Sequence, residues 1–583
     1  MSTDRSDTAP AAEAQLVLGP LLRYIGTNEA TVWVETSAPS TVTVVQDVGE
    51  KSWRANTFEV SGHHYAVVIV DGLEPGGSYP YRVELDQTQV WPESDSRFPV
   101  PAIRTIDPDR PTRMLFGSCR TTVPHDAEGN RTNGVDALRT LALALARGDE
   151  PWPDLVAFLG DQVYADETSD AMREFIAGRR SLDEPPGEEI KDYTEYCHLY
   201  QLAWSDPANR WLLSTVPSCM IFDDHDIRDD WNTSYSWHVE INKTQWWHQR
   251  LMGGLASYWV YQHLGNLSPQ ALSADPVFGP VLAAGAGAHL DLTDAVFELM
   301  ERVDRNPDVY RWSYRRDLGD SRLVMVDSRA ARVLEPQRRS MLSPGELDWL
   351  GDQLTLDREQ QPGLRHMLIG TSLPFLLPPG MHDLEAIDET VASGGYGKVL
   401  AALGEKLRRS LDMEHWAAFN SGFDEVADMV MALARGERGP VPDTVTFLSG
   451  DVHNSYVAQV IDAAQYGAKA PIVQAVCSPI RNPMPRVVRV LMSQFARGLV
   501  RPMRFIAGHA KKVPDPQYPW AVTSGPWFDN CLAELSVHGP DLRMVWRGGV
   551  VRGDDPADPS LVQVGAAVVA GGASGAGPAE TTS

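Results

Sequence analysis

Residues 155–166 read Leu-Val-Ala-Phe-Leu-Gly-Asp-Gln-Val-Tyr-Ala-Asp: five apolar residues in a row, then Gly160, then Asp161 and Tyr164. A short, unbroken apolar run is the mark of a strand buried on both faces, and in open α/β sheets the ligand site lies beyond the carboxyl ends of such strands. Three other stretches repeat the pattern. Met114-Leu-Phe leads into Gly117-Ser-Cys-Arg120, Met220-Ile-Phe into Asp223-Asp-His-Asp226, and Val445-Thr-Phe-Leu into Ser449-Gly-Asp-Val-His453. Carboxylate, imidazole, thiol and phenol groups from distant sequence would thus converge on one crevice.

Each block alone has a plain structural reading. Gly160 permits a tight exit from a strand, but Gly-Asp there also makes turns and helix caps. Cys119 by itself would be a small buried hydrophobe, and His453 a hydrogen-bonded imidazole. Asp223-Asp-His-Asp226 is harder to explain without a cation, because three acids around one imidazole repel each other. The apolar lead-in over 216–222 argues against a solvated acidic loop.

Outward from these blocks, apolar strands alternate with helical patterns from Pro111 onward, which means α/β. Val135, Leu138, Leu141 and Leu145 recur at helical spacing over 134–147, as in a helix covering a sheet. Aromatic and apolar residues over 192–213 and 237–263 read as a packed helical layer. Between 15 and 103 the character is different: strand-like runs at 30–35, 41–45, 65–70 and 79–85 are separated by turn residues, as in a β-sandwich. Trp33 is its candidate core anchor, and 86–110 a link to the α/β part. Residues 1–14 and 553–583, rich in Ala, Gly, Ser, Thr and Pro, are expected to be disordered tails.

The formal charge of −27 over 583 residues argues against a nucleic-acid or anionic-membrane partner, since both need clustered Lys and Arg. It also means that an anionic substrate would need local cations. Five scattered cysteines are too few for a disulfide framework. No apolar run is long enough for a membrane span, and the N-terminal residues carry no signal-peptide pattern, so the cytoplasm is the expected compartment.

Taken together, Gly117-Ser-Cys-Arg120, Gly160-Asp-Gln-Val-Tyr-Ala-Asp166, Asp223-Asp-His-Asp226 with Asp229-Asp-Trp-Asn232, Asp327-Ser-Arg329, Gly370-Thr-Ser-Leu-Pro374 and Ser449-Gly-Asp-Val-His453 resemble the metallophosphoesterases, specifically the PhoD-like alkaline phosphatase family. The resemblance runs from about 114 to 481. It implies a four-layer αββα catalytic domain over 111–552, behind a module over 15–103 that itself resembles a fibronectin type III-like β-sandwich at Leu73-Glu-Pro-Gly-Gly-Ser-Tyr79 and Tyr81-Arg-Val83.

The same resemblance implies that Cys119, Asp161, Tyr164 and His453 hold Fe3+, while Asp161, Asp224 and Asp451 hold Ca2+, with Asp161 bridging. Thiolate and phenolate suit iron, and oxygen donors suit calcium. His225 would act on the phosphoryl group or the leaving oxygen, with Asp226 orienting its ring. Arg120, Arg329 and Arg481 are candidates to grip phosphate or to make salt bridges. Asp451 and Thr371-Ser372 stand where the wider superfamily carries metal-ligating His, which puts zinc or manganese in doubt at the second metal.

The expected function is hydrolysis of a small phosphate ester by in-line attack of a metal-activated hydroxide. A phosphodiesterase or phospholipase would share this metal core, and a non-catalytic binding protein would have lost some of its ligands.

Overall fold

The structure is a computed structural model that describes residues 13–571, except 286–287, 337, 358, 360–362, 495–502, 505, 508–512, 514 and 554. The expected tail over 1–14 lies almost wholly outside the described residues, as does the end of the chain beyond 571.

The N-terminal strands form two antiparallel sheets. One is ordered Leu16–Ile25, Ala30–Thr36, His63–Val70, Phe58–Val60; the other Ser52–Asn56, Thr41–Gln46, Ser78–Leu85, Thr88–Trp91, with Ala102–Arg104 added beside Ser78–Leu85. The stretch expected to be a link therefore contributes two strands. Trp33 is fully buried, its ring centroid 5.9 Å from that of Tyr65 and 5.3 Å from that of Tyr261. Tyr261 belongs to the following α/β part, so the anchor of the module also touches that part. Polar groups tie the same contact: Arg23, wholly buried, donates to the carbonyls of Ser218, Tyr261 and Gln262, and the Tyr261 hydroxyl donates to Glu35 at 2.8 Å. A buried guanidinium without acceptors would cost several kcal/mol, on the order of the effective penalty for a buried ion, so these carbonyls fix the docking geometry.

Beyond residue 111 lie two larger sheets. The six-stranded sheet runs Ser218–Ile221, Leu155–Leu159, Arg113–Gly117, Leu532–His538, Asp541–Val551, Pro559–Val569. Its first three strands are parallel and completely or largely buried, as their apolar runs require. The seven-stranded sheet runs Tyr314–Leu318, Ser321–Val326, His366–Thr371, Thr444–Ser449, Ile472–Val476, Ser455–Val460, Trp520–Trp527, with a parallel centre.

The period-2 alternation of strand side chains divides this second sheet between two cores. Leu323 and Met325 join the apolar cluster that contains Met114, Phe116 and Phe158 of the first sheet. Val324 and Val326 join a separate cluster with Leu347 and Leu350 of the helix Pro344–Gln353 and Val426 and Val430 of the helix Asn420–Arg435. The helical pattern read over 134–147 is the helix Ala137–Arg147, capped by the Asp136 carboxylate at its start and by left-handed Gly148 at its end.

The expectation of a disordered tail from 553 fails for Pro559–Val569, which pairs along its length with Asp541–Val551. Gly565 is there for close packing: a Cβ on it would lie 2.4 Å from the Trp527 ring. Composition alone cannot separate such an edge strand from a flexible end. No helix among the described residues is long and apolar enough to cross a membrane.

Candidate metal centre

All four blocks leave their strands on the same side and meet. Cys119 follows Arg113–Gly117, Asp161 follows Leu155–Leu159, Asp223 and Asp224 follow Ser218–Ile221, and Asp451 and His453 follow Thr444–Ser449. Four of these residues adopt left-handed backbone angles, with φ of 59° at Cys119, 46° at Asp161, 63° at Asp451 and 48° at His453. Such conformations cost about 1–3 kcal/mol each and concentrate at functional sites. Two glycines make the approach possible. A Cβ on Gly160, whose φ is +110°, would lie 2.8 Å from Cβ of Asp223, and one on Gly450 would lie 1.9 Å from Oγ of Ser118.

Carboxylate oxygens of Asp161, Asp223, Asp224 and Asp451 all lie within 4.8 Å of one another. Sγ of Cys119 is 3.3 Å from Oδ2 of Asp161 and receives the Ser478 hydroxyl at 3.3 Å. The buried atoms Oδ1 of Asp161, Oδ2 of Asp223 and the Tyr164 hydroxyl make no hydrogen bond with any described residue. Leaving buried acceptors unpaired costs about 1–3 kcal/mol apiece, more for charged ones.

The electrostatics follow from this crowding. Burial raises the carboxyls of Asp161, Asp223 and Asp224 above the usual range; the Cys119 sulfur adds to it at Asp161, while Arg329 opposes it at Asp223 and Asp224 without cancelling it. Burial, then Asp451, pushes the Cys119 thiol up to about 12, and burial, then Cys119 and Asp161, raises the Tyr164 phenol. Burial lowers His453 to about 4, which leaves its imidazole neutral. A cation resolves every one of these: it stabilises the carboxylates, the thiolate and the phenolate, and accepts a neutral imidazole. The donor set therefore fits a metal centre.

His225 lies beside the cluster, its ring centroid 4.7 Å from that of Tyr164. Its Nδ1 meets Oδ1 of Asp166 at 2.9 Å. Burial favours the neutral ring, but Asp166, then Asp224 and Asp161, raise the imidazole well above its ordinary value. Asp226, expected to orient this ring, does not. Its carboxylate accepts from the backbone amides of Asp223 and Val163 and from Gln262, so it braces the loop from behind, and burial lifts it to about 7.

The three candidate phosphate-binding arginines are also reassigned. Arg120 is buried and donates twice to Asp136 and once to the Ala203 carbonyl. Arg481 is buried against the carbonyls of Gly134, Val123 and Pro124. Arg329 pairs with Asp223, Asp224 and Glu414 beneath the cluster. Arg120 and Arg481 are thus turned onto protein groups away from the cluster, while Arg329 lies fully buried among carboxylates, its Nη2 without a hydrogen bond among the described residues.

Sequence reading misses Asp166, Glu414 and His415. Asp166 closes the block over 160–166, where nothing in the pattern gives it a role. Glu414 and His415 follow no apolar strand, and nothing in their spacing marks them, yet Nε2 of His415 lies 3.3 Å from Oδ2 of Asp451.

A family model described as a PhoD-like phosphatase matches residues 139–502, starting after the Cys119 block, and a domain of unknown function, DUF7800, matches 13–103. A solved structure titled "Structure of PhoD" is 13% identical, with a TM-score of 0.58 over 98% of this chain and 94% of that one. That likeness shows a shared mixed α/β fold. A type III pullulan hydrolase from Thermococcus kodakarensis, 10% identical over 96% of this chain and 100% of that one, has a TM-score of 0.14 and carries no argument. No curated protein matches the chain. The family match spans well over half of the sequence, and the chain belongs to the PhoD-like phosphatases.

Proposed function

We propose that the enzyme is a metal-dependent phosphoesterase whose centre is built by Cys119, Asp161, Tyr164 and His453 around iron and by Asp161, Asp223, Asp224 and Asp451 around a second cation. The observation that carries this reading is the group of four carboxylates within 4.8 Å, two of whose buried oxygens have no partner among the described residues. Bound cations would acidify a water and offset the charge of the phosphoryl oxygens.

The protein groups do the rest. Asp161 faces both Cys119 and the other carboxylates, which suits it to bridge the two halves. Asp166 accepts the Nδ1 proton of His225, fixes the ring and favours its charged form, so that Nε2 holds the proton for the departing oxygen of the ester. Arg329, pinned by Glu414, keeps Asp223 and Asp224 turned together and is a positioning residue.

The finer architecture belongs to the same proposal: a four-layer αββα catalytic domain, with residues 15–103 as a fibronectin type III-like shoulder that supplies no ligand. Hydrolysis of nitrophenyl phosphate against bis(nitrophenyl) phosphate, before and after chelation, tests the function. Activity on either ester that chelation abolishes and metal restores supports it; activity indifferent to chelation with metal removed refutes it.

A further inference from the structure

The helix Lys398–Ser410 docks by its polar face, the reverse of a helix that covers a core. Glu405 accepts from the hydroxyls of Ser234 and Ser236, Arg408 pairs with Glu389, and Arg409 pairs with Glu240 at 2.7 Å. The apolar face is turned outward. Val399, Leu400, Leu403, Leu407 and, just past the helix end, Leu411 recur every three or four residues and are all exposed, Val399 at 85% and Leu403 at 63%. Beside them the helix Tyr235–Ile241 exposes Tyr235 and Val239, one turn apart. Half of the exposed large apolar side chains among the described residues belong to these two neighbouring elements. Single exposed leucines need no partner, but a contiguous stripe marks an interaction site.

Both helices spring from loops of the candidate centre. The backbone amide of Asp230 donates to Oδ2 of Asp224 at 3.1 Å, and the chain then enters the helix at Tyr235; the longer helix ends just before Glu414, the partner of Arg329. The apolar platform therefore lies at the edge of the crevice. Residues 398–411 carry four basic side chains, Lys398, Lys406, Arg408 and Arg409, against one acid, Glu405, in a chain of net charge −27. Arg408 and Arg409 are held inward, whereas Lys398 and Lys406 are exposed, Lys406 at the margin of the stripe by helical spacing. Acids elsewhere on the chain are screened beyond about 8 Å at physiological ionic strength, so a surface in contact with this face meets its local positive charge. A second copy would set these lysines against their own kind and bring another net charge of −27. Phospholipid head groups instead offer phosphates to the lysines, and the acyl boundary beneath them takes the leucines.

We infer that this face, with Val399, Leu403 and Leu407 at its centre, is a docking surface for a phospholipid bilayer and brings the mouth of the crevice to the lipid. The helix is about 20 Å long, too short to span a bilayer, so it lies in the plane of the head groups. The inference goes beyond the metal centre and does not require it, because lipid binding and ester hydrolysis are read separately.

The test is flotation of the full chain with vesicles of phosphatidylcholine holding a minor share of phosphatidylglycerol, beside sedimentation equilibrium without lipid. Wild type should float with the vesicles. Leu403→Asp combined with Leu407→Asp should lower the partition coefficient about 10-fold or more. Lys398→Glu combined with Lys406→Glu should lower it about 10-fold, and by less at high salt. Thermal unfolding and hydrolysis of soluble nitrophenyl phosphate should stay as in wild type for all of these. Should the leucine pair fail to fold, Val399→Asp, at the most exposed position of the stripe, takes its place. Wild type that stays in the soluble fraction, or leucine variants that float as wild type does, would overturn the inference. So would a leucine variant whose only loss is a concentration-dependent dimer, which would make the face a contact between copies. Flotation without ester hydrolysis would support the docking surface and count against the metal centre alone.

Discussion

Nδ1 of His225 lies 2.9 Å from Oδ1 of Asp166, joining two residues 59 positions apart, while the adjacent Asp226 turns away to brace the backbone of its own loop. One carboxylate serves the ring, the other the fold.

Asp166→Asn and Asp226→Asn should therefore fail differently. Asparagine at 166 keeps a hydrogen-bond acceptor but removes the charge that holds the ring proton, so turnover should fall about 10- to 100-fold, and more on an alkyl phosphate than on a nitrophenyl ester, whose leaving group needs little protonation. Asp226→Asn should show less stability in urea with a leaving-group preference like wild type. Steady-state kinetics on both esters, together with unfolding curves, check the pair; identical profiles would remove the distinction.

Arg329→Ala should lower stability by about 3–5 kcal/mol, because it leaves the buried carboxylate of Asp223 without its guanidinium and Glu414 with Arg332 alone. Metal content should change as well, while KM measured on fully loaded protein stays near that of wild type. A large rise in KM with stability unchanged would return this arginine to phosphate binding.

Asp136 and Arg120 form a buried pair, and Asp136 also caps the helix Ala137–Arg147. Burial alone would raise this carboxyl, but Arg120 and His125 hold it below the ordinary value. A depressed folded-state value means that its stability contribution is complete above the unfolded value, near 4, and is lost as pH falls through the lower folded one. Asp136→Asn should accordingly cost about 3–5 kcal/mol at pH 7, and the gap to wild type should narrow below about pH 4. Urea unfolding as a function of pH measures it; a gap that stays constant down to about pH 2 would contradict the pairing.

The strands that carry the site are legible because burial on both faces forces an unbroken apolar run, as at Leu155–Leu159, and because each run ends in acid, thiol, phenol or imidazole groups. Cys119, Asp161, Asp224 and Asp451 stand out this way, with Tyr164 and His453 beside them. What escapes is partner choice. Asp226 and Asp166 are both acids near His225, one in sequence and one in space, and only the loop geometry decides between them. The same holds for Arg120, Arg329 and Arg481, each beside a motif but turned toward a carboxylate or a carbonyl. The terminal strand Pro559–Val569 is hidden by its Gly and Ala content, of which Gly565 records contact with Trp527.

The most direct test of the account is metal analysis of purified active enzyme, with its visible spectrum, before and after chelation. The account predicts iron together with a second metal in each chain, a charge-transfer absorption from Tyr164 or Cys119 bound to Fe3+, and phosphatase activity that disappears on chelation and returns on reconstitution. Asp161→Asn should lose metal and activity together. Colourless enzyme that turns over fully without bound metal, or a fully active Asp161→Asn variant with normal metal content, would contradict it.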